Sequence, residues 1–357
     1  MLYYLALAAI AFGVTFVATP LVRRLAFAVG AVDVPDARKV HRGVMPRLGG
    51  LAIFLGFLAG VGWLSAGFAE IGAALLGGVI VVLTGALDDR FGLSPLVKLI
   101  GQMLAAAVVI AAGIRMEFIH LPFAAEKTLE FGLLAVPITL FWIVGVTNAI
   151  NLIDGLDGLA AGVTAIAAAT MFVLSLQLGN VPAALMAAAL VGSLAAFLIF
   201  NFHPAKIFMG DSGSLFLGYM MAVMALLGFK QVALTSFIVP LLVLAVPLSD
   251  TLFAIVRRML NGQSIAAPDK RHLHHALLAV GLSHRQAVLA IYGLSAFFGL
   301  SAILFSRATV WIEAAVLVAA GFVLVVLADV LELVHRSFHP IRRMLRLPPH
   351  PERSRGR

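Results

Sequence analysis

The chain has 357 residues, 62% of them apolar and only 12% charged, with a mean hydropathy of +1.06. A water-soluble domain is nearer half apolar and a quarter charged, so this composition excludes an ordinary soluble fold and places the chain in a lipid bilayer. With no cysteine, disulfides and thiolate metal sites are excluded as well, and the net charge of +8 has to be located along the chain before it says anything about partners.

A helix that crosses a bilayer needs about 17–25 consecutive, mostly apolar residues. Eleven runs meet that need: residues 2–20, 48–66, 71–87, 96–113, 133–150, 157–177, 182–200, 214–229, 235–256, 286–305 and 309–331. The first lacks a basic leader and a small-residue cleavage site, so it is expected to be a retained helix. Asp88-Asp89-Arg90 is expected to form the loop between the third and fourth runs. The expectation is an all-α, polytopic integral membrane protein with about 11 transmembrane helices. It has one membrane domain over residues 1–335 and a basic tail over 336–357.

The connectors fall into two alternating sets. One comprises residues 21–47, 88–95, 148–156, 201–213, 257–285 and 332–357; the other comprises 67–70, 114–132, 178–181, 230–234 and 306–308. If Lys98 is counted with its adjacent loop, only Arg115, Lys127, Lys230 and Arg307 of the 25 lysines and arginines belong to the second set. The positive-inside rule makes the first set cytoplasmic, with the N-terminus outside and the C-terminus inside. The positive charge is therefore a topology signal, with the arginine-rich tail free to touch anionic lipid. It is not evidence for nucleic acid.

Every unusual polar cluster falls on that same cytoplasmic side. The stretch at 148–158 reads Asn-Ala-Ile-Asn-Leu-Ile-Asp-Gly-Leu-Asp-Gly. It sets Asn148, Asn151, Asp154 and Asp157 three residues apart, near one face of a helical turn. Such groups at a membrane helix end are expensive unless paired, and they suit a divalent cation with a phosphate-bearing substrate. Helix caps are the plainer alternative. Asp88 and Asp89 form an adjacent acidic pair that favours a cation between them, against the plain reading of a solvated loop. Asp211, in Met-Gly-Asp-Ser-Gly-Ser, is either an N-cap or a magnesium ligand. His272, His274 and His275 sit beside Lys270 and Arg271, which suits anionic phosphate better than zinc. Asn201 and Phe208 flank Lys206 and could hold a nucleobase, although packing explains an aromatic there equally well. Asp250 lies inside the ninth run with Arg257 two turns on, too far for easy pairing.

Taken together, five ordered motifs carry a resemblance: Lys39-Val-His-Arg…Pro46-Arg-Leu-Gly-Gly, Leu87-Asp-Asp-Arg, the stretch at 148–158, Phe208-Met-Gly-Asp-Ser-Gly-Ser and His272-Leu-His-His. The chain resembles the polyprenyl-phosphate N-acetylhexosamine-1-phosphate transferase family from about residue 20 to 290. The resemblance implies transfer of a sugar 1-phosphate from a UDP-N-acetylhexosamine to a polyprenyl phosphate lipid, with release of UMP and with Mg2+ (Mn2+ as an alternative) as cofactor. His-Leu-His-His and Asp-Asp-Arg lie closer to the UDP-N-acetylglucosamine branch than to the relative acting on UDP-MurNAc-pentapeptide.

By position, the resemblance makes Asp154 and Asp211 metal-site residues and implies catalytic roles for Asp88 and Asp89 near the lipid phosphate, with Asp88 the candidate to deprotonate or orient it. It implies catalytic or phosphate-gripping roles for Arg258, His274 and His275. Lys39, Arg47, Lys98, Asn148, Asn151, Asp157, Asn201, Phe208, Arg271 and His272 are the implied substrate-binding set. It also implies an inner (plasma) membrane location with the active site on the cytoplasmic face; a homodimer is an open possibility. The rival class is an ion- or proton-coupled transporter, but such sites lie near the bilayer midplane, whereas these polar residues gather at one surface.

Overall fold

The structure, a computed structural model, describes residues 1–34, 43–120, 128–229, 237–264 and 272–330. The helices are α1 (Leu2–Val29), α2 (Gly49–Val61), α3 (Ala69–Phe91), α4 (Pro95–Ala111), α5 (Ala135–Ile153), α6 (Leu159–Gln177) and α7 (Val181–Asn201). They continue with α8 (Asp211–Phe229), α9 (Ile238–Val243), α10 (Ala245–Leu260), α11 (Leu273–Ala279), α12 (His284–Phe305) and α13 (Val310–Val330). Two short antiparallel ribbons, Val32–Asp33 with Met45–Pro46 and Phe118–His120 with Thr128–Glu130, are the strands among the described residues. Eight of these helices, α1, α3, α5 to α8, α12 and α13, are long and apolar enough to cross a membrane, and α2 and α4 are shorter apolar helices. The expected tail at 336–357 lies outside the described residues, as do Lys39 and Arg271.

Local chemistry sets the helix ends. Ser94 accepts the Val97 N–H ahead of Pro95, Asn180 accepts the Ala183 N–H, and Ser283 with Gln286 forms a reciprocal capping box. Gly30, at φ 71°, stops α1 in the left-handed conformation that glycine adopts without a Cβ penalty.

Three expectations need correction. The loop anticipated at Asp88-Asp89-Arg90 is the last turn of α3, which runs on until Gly92 (φ 66°) closes it by donating to the Asp88 carbonyl. Inside lipid an unpaired backbone group is expensive, so the helix continues through its polar residues to a glycine stop. Asn148 and Asn151, anticipated in a connector, are likewise helical and lie in α5. The ninth run divides into α9 and α10 at Leu244, because Pro247 has no N–H to donate to the Val243 carbonyl.

Helix α8 is the central element and packs on α2, α3, α5, α6 and α7, whereas α13 touches mainly α12 and is largely exposed. Small residues let the backbones close in. A Cβ on Gly85 would strike the Asp211 main chain, and one on Gly50 would strike that of Gly213. These contacts bring the end of α3 and the start of α2 against the first turn of α8.

Candidate active site

The first turn of α8 leaves N–H groups without partners inside the helix, and it sits beside the buried end of α3. Asp89 meets those groups. Its Oδ1 accepts the Asp211 N–H at 2.8 Å and its Oδ2 accepts the Ser212 N–H at 3.1 Å. A carboxylate at a helix N-terminus gains from both the hydrogen bonds and the helix dipole. The Asp89 side chain is fully buried, and Arg47 Nη2 lies 3.5 Å from it. Arg47 is itself held from behind, donating its N–H to the Ala31 carbonyl at 3.1 Å.

One residue earlier, Asp88 points elsewhere, since successive helical residues are rotated by about 100°. Its Oδ1 accepts the Leu93 N–H at 2.8 Å and its Oδ2 faces Lys98 Nζ at 3.4 Å. Lys98 bridges onward to Asp211 Oδ2 at 2.9 Å, while Arg47 Nη2 lies 3.7 Å from Asp211 Oδ1. The Asp88 and Asp211 carboxylates approach to hydrogen-bonding distance of each other. Asp154 caps the end of α5, where burial first and then the Asp211 charge push its carboxyl up to about 7. Two cations are thus threaded among four carboxylates from α3, α8 and the loop after α5. Oxygen donors crowded in this way suit a hard divalent cation such as magnesium.

The remaining polar residues of α5 build the wall. Asn151 Nδ2 donates to Ser214 Oγ at 2.7 Å, fastening α5 to α8. Asn148 donates to Gln102 Oε1 at 2.7 Å, fastening α5 to α4. Asn201 is buried, accepting the Gly158 N–H at 3.1 Å and donating to the Ile207 carbonyl at 3.0 Å. Phe208 is half-buried and is tied by its main chain to Pro46 and Gly49. The Asp157 carboxylate lies 2.8 Å from His203 Nδ1 and accepts the Ala205 N–H at 3.1 Å. Asn148, Asn201 and Asp157, which the resemblance implies as substrate-binding, also hold protein to protein.

The histidines arrive from the opposite side of the loop at 154–158. Asp250 reaches His272 Nδ1 at 2.8 Å and accepts the Leu273 N–H at 2.8 Å, so this pair partners it. This anchor sets α11 so that the buried His274 ring occupies the space where a Cβ on Gly155 would stand. Burial first, and then the neighbouring His275, hold His274 down to about 3, so it is neutral at pH 7. His275 is exposed and packs on His274 with centroids 4.1 Å apart, and Arg258 lies half-buried in the last turn of α10. Asp89, Asp154, Asp211 and His274 therefore converge on one end of the bundle. Sequence spacing missed the pairs Asp250–His272, Gln102–Asn148 and Asp157–His203, each of which spans 22 or more residues.

Residues 71–229 match the family described as glycosyl transferase family 4. A protein of Bacillus subtilis (strain 168), described as a probable undecaprenyl-phosphate N-acetylglucosaminyl 1-phosphate transferase, is 46% identical over 326 residues, 90% of each chain. A decaprenyl-phosphate N-acetylglucosaminephosphotransferase of Mycobacterium tuberculosis (strain H37Rv) is 38% identical over 86% of this chain and 85% of its own. An undecaprenyl-phosphate alpha-N-acetylglucosaminyl 1-phosphate transferase of Yersinia pestis is 30% identical over 75% of each.

Proposed function

Because the chain belongs to glycosyl transferase family 4, the polyprenyl-phosphate hexosamine-1-phosphate transferases, we propose that it moves N-acetylglucosamine 1-phosphate from UDP-N-acetylglucosamine onto a polyprenyl phosphate. The observation that carries this reading is the convergence of Asp88, Asp89, Asp154 and Asp211 with Arg47 and Lys98 at one end of an apolar helix bundle. In the transfer, a lipid phosphate oxygen bonds to the sugar-linked phosphorus as the bond from that phosphorus to the UMP oxygen breaks. Negative charge from three phosphate groups gathers there, and phosphoryl transfer is catalysed mainly by holding oxygens in line and offsetting that charge.

Arg47 and Lys98 supply fixed positive charge on either side of Asp211. Asp88 orients Lys98 and the attacking phosphate. A phosphate monoester has a second pKa near 6 by analogy with phosphorylated side chains, so it is largely ionised without a base. Mg2+, with Mn2+ as an alternative, would be held by Asp211 and Asp154 and would supply Lewis-acid neutralisation of the phosphate oxygens. Exposed His275 and half-buried Arg258 are left to grip the donor diphosphate, and neutral His274 braces the turn at Gly155. The lipid tail remains among the helices of the inner (plasma) membrane while its head meets a water-soluble nucleotide on the cytoplasmic side, the side assigned by the lysine and arginine asymmetry.

The test is UMP release by the detergent-purified chain. Release from UDP-N-acetylglucosamine is expected only when polyprenyl phosphate and Mg2+ are both present, and a panel of UDP-sugars with one lipid acceptor identifies the sugar. Ion flux in liposomes without such turnover would overturn the reading in favour of a transporter.

A further inference from the structure

Beside the carboxylate cluster, three other elements meet on a second group of titratable side chains. Asp157 stands in the loop before α6, His203 in the loop after α7, and His284 opens α12. One ligand atom from each lies within 4.8 Å of the other two. The Asp157 carboxylate oxygen and His203 Nδ1 already share a proton at 2.8 Å. The His284 ring lies over the His203 ring, with centroids 4.1 Å apart and planes 22° from parallel. Both His284 ring nitrogens are shielded from solvent, and neither makes a hydrogen bond of ordinary geometry, although the Asp157 main chain lies alongside. Ring nitrogens shielded in this way on a half-buried histidine are normally paired, and here the Asp157 main chain is the neighbour on hand.

We propose that Asp157, His203 and His284 form a transition-metal site of the Zn2+ class, separate from the all-oxygen cluster around Asp211. Two imidazoles and one carboxylate are a zinc-type donor set, whereas magnesium prefers oxygen alone. Zinc bonds of about 2.0–2.1 Å in a tetrahedron bring ligand atoms to about 3.3 Å from one another, so the three side chains would draw inward on binding. The metal takes the place of the proton held between His203 and Asp157, and a water completes the fourth position. Its role is that of a clip. Tyr292 Oη already donates to the Gly158 carbonyl and Arg285 Nη2 to the His203 carbonyl at 3.1 Å, so α12 is seated on these same two loops. A metal there would lock the start of α12 to the ends of α6 and α7, three residues from Asp154.

The test is Zn2+ titration of the full chain in detergent by calorimetry, after stripping with EDTA and in excess Mg2+ so that the oxygen cluster is saturated. One Zn2+ per chain is expected. His203→Ala or His284→Gln should weaken binding by about a hundredfold, in line with the importance of each ligand, while His275→Ala leaves it intact. No binding to the parent chain, or binding that survives both ligand substitutions, overturns the proposal. Should either variant fail to fold, Co2+ on the parent chain decides. Intense tetrahedral absorption bands that persist in His275→Ala support the site, and a pale octahedral spectrum overturns it.

Discussion

Asp88 and Asp89 are neighbours in sequence, yet replacing each by asparagine is expected to break different things. In Asp89→Asn the amide keeps one oxygen for the two N–H groups at 2.8 and 3.1 Å, so one is left facing an NH2 donor in a fully buried position. A hydrogen bond to a charged group contributes about 1.5–3 kcal/mol, and orphaning a buried donor adds to the loss, so about 2–4 kcal/mol of stability should disappear. That corresponds to a fall of several degrees in melting temperature. Turnover should fall with it, because Asp89 sets the first turn of α8 and hence Asp211, and a displacement of about 1 Å costs about a hundredfold. Asp88→Asn keeps an oxygen for the Leu93 N–H and loses a 3.4 Å ion pair with a quarter-exposed Lys98, about 1 kcal/mol or less. Its melting temperature should stay near that of the parent while UMP release falls steeply. Thermal unfolding in detergent beside the UMP assay separates the two. An Asp89→Asn variant as stable as the parent, or the same loss of stability in both variants, would refute the assignment of Asp89 to holding and Asp88 to chemistry.

Other expectations follow from the same geometry. Asp211→Asn should abolish Mg2+-dependent turnover while leaving the circular-dichroism spectrum and melting temperature close to the parent; near-normal activity would remove its assigned role. Gly155→Ala places a methyl group in the His274 ring, an overpacking of about 1–3 kcal/mol, and should lower turnover without altering helix content. If it is as active and stable as the parent, His274 does not brace that turn. The His274 folded-state pKa of about 3 lies below the unfolded value near 6.5, so the unfolded chain binds the extra proton on acidification. Its contribution to stability is present above pH 6.5 and is lost progressively as pH falls toward 3, at up to about 1.4 kcal/mol per pH unit. His274→Gln should flatten that part of the stability profile, and an unchanged acid limb would contradict a buried neutral ring.

Much of this protein was legible in one dimension. Apolar runs long enough for a bilayer mark the helices, because lipid requires every backbone group to be satisfied within a helix. The lysine and arginine asymmetry sorts the connectors into two sets, and the polar clusters that meet in the site come from one of them. The errors came where a local signal was read without its backbone. Asp88-Asp89-Arg90 looked like a loop because it is charged, although Gly92 is the stop signal. Residues 235–256 looked like one helix because they are apolar, although Pro247 divides them.

Which side each acid faces, and what it touches, was decided only by the fold. A rotation of about 100° between Asp88 and Asp89 is invisible until α8 is packed against one of them. Asp250 looked unpaired because its neighbours in the chain are apolar, and its partner His272 arrives only when α11 folds back. Helix formation and membrane insertion depend on residues a few positions apart, so they can be read along the chain. A site assembled from the ends of α3, α4, α5 and α8 depends on close approaches at glycines such as Gly50 and Gly85, which become visible only when the helices are in contact.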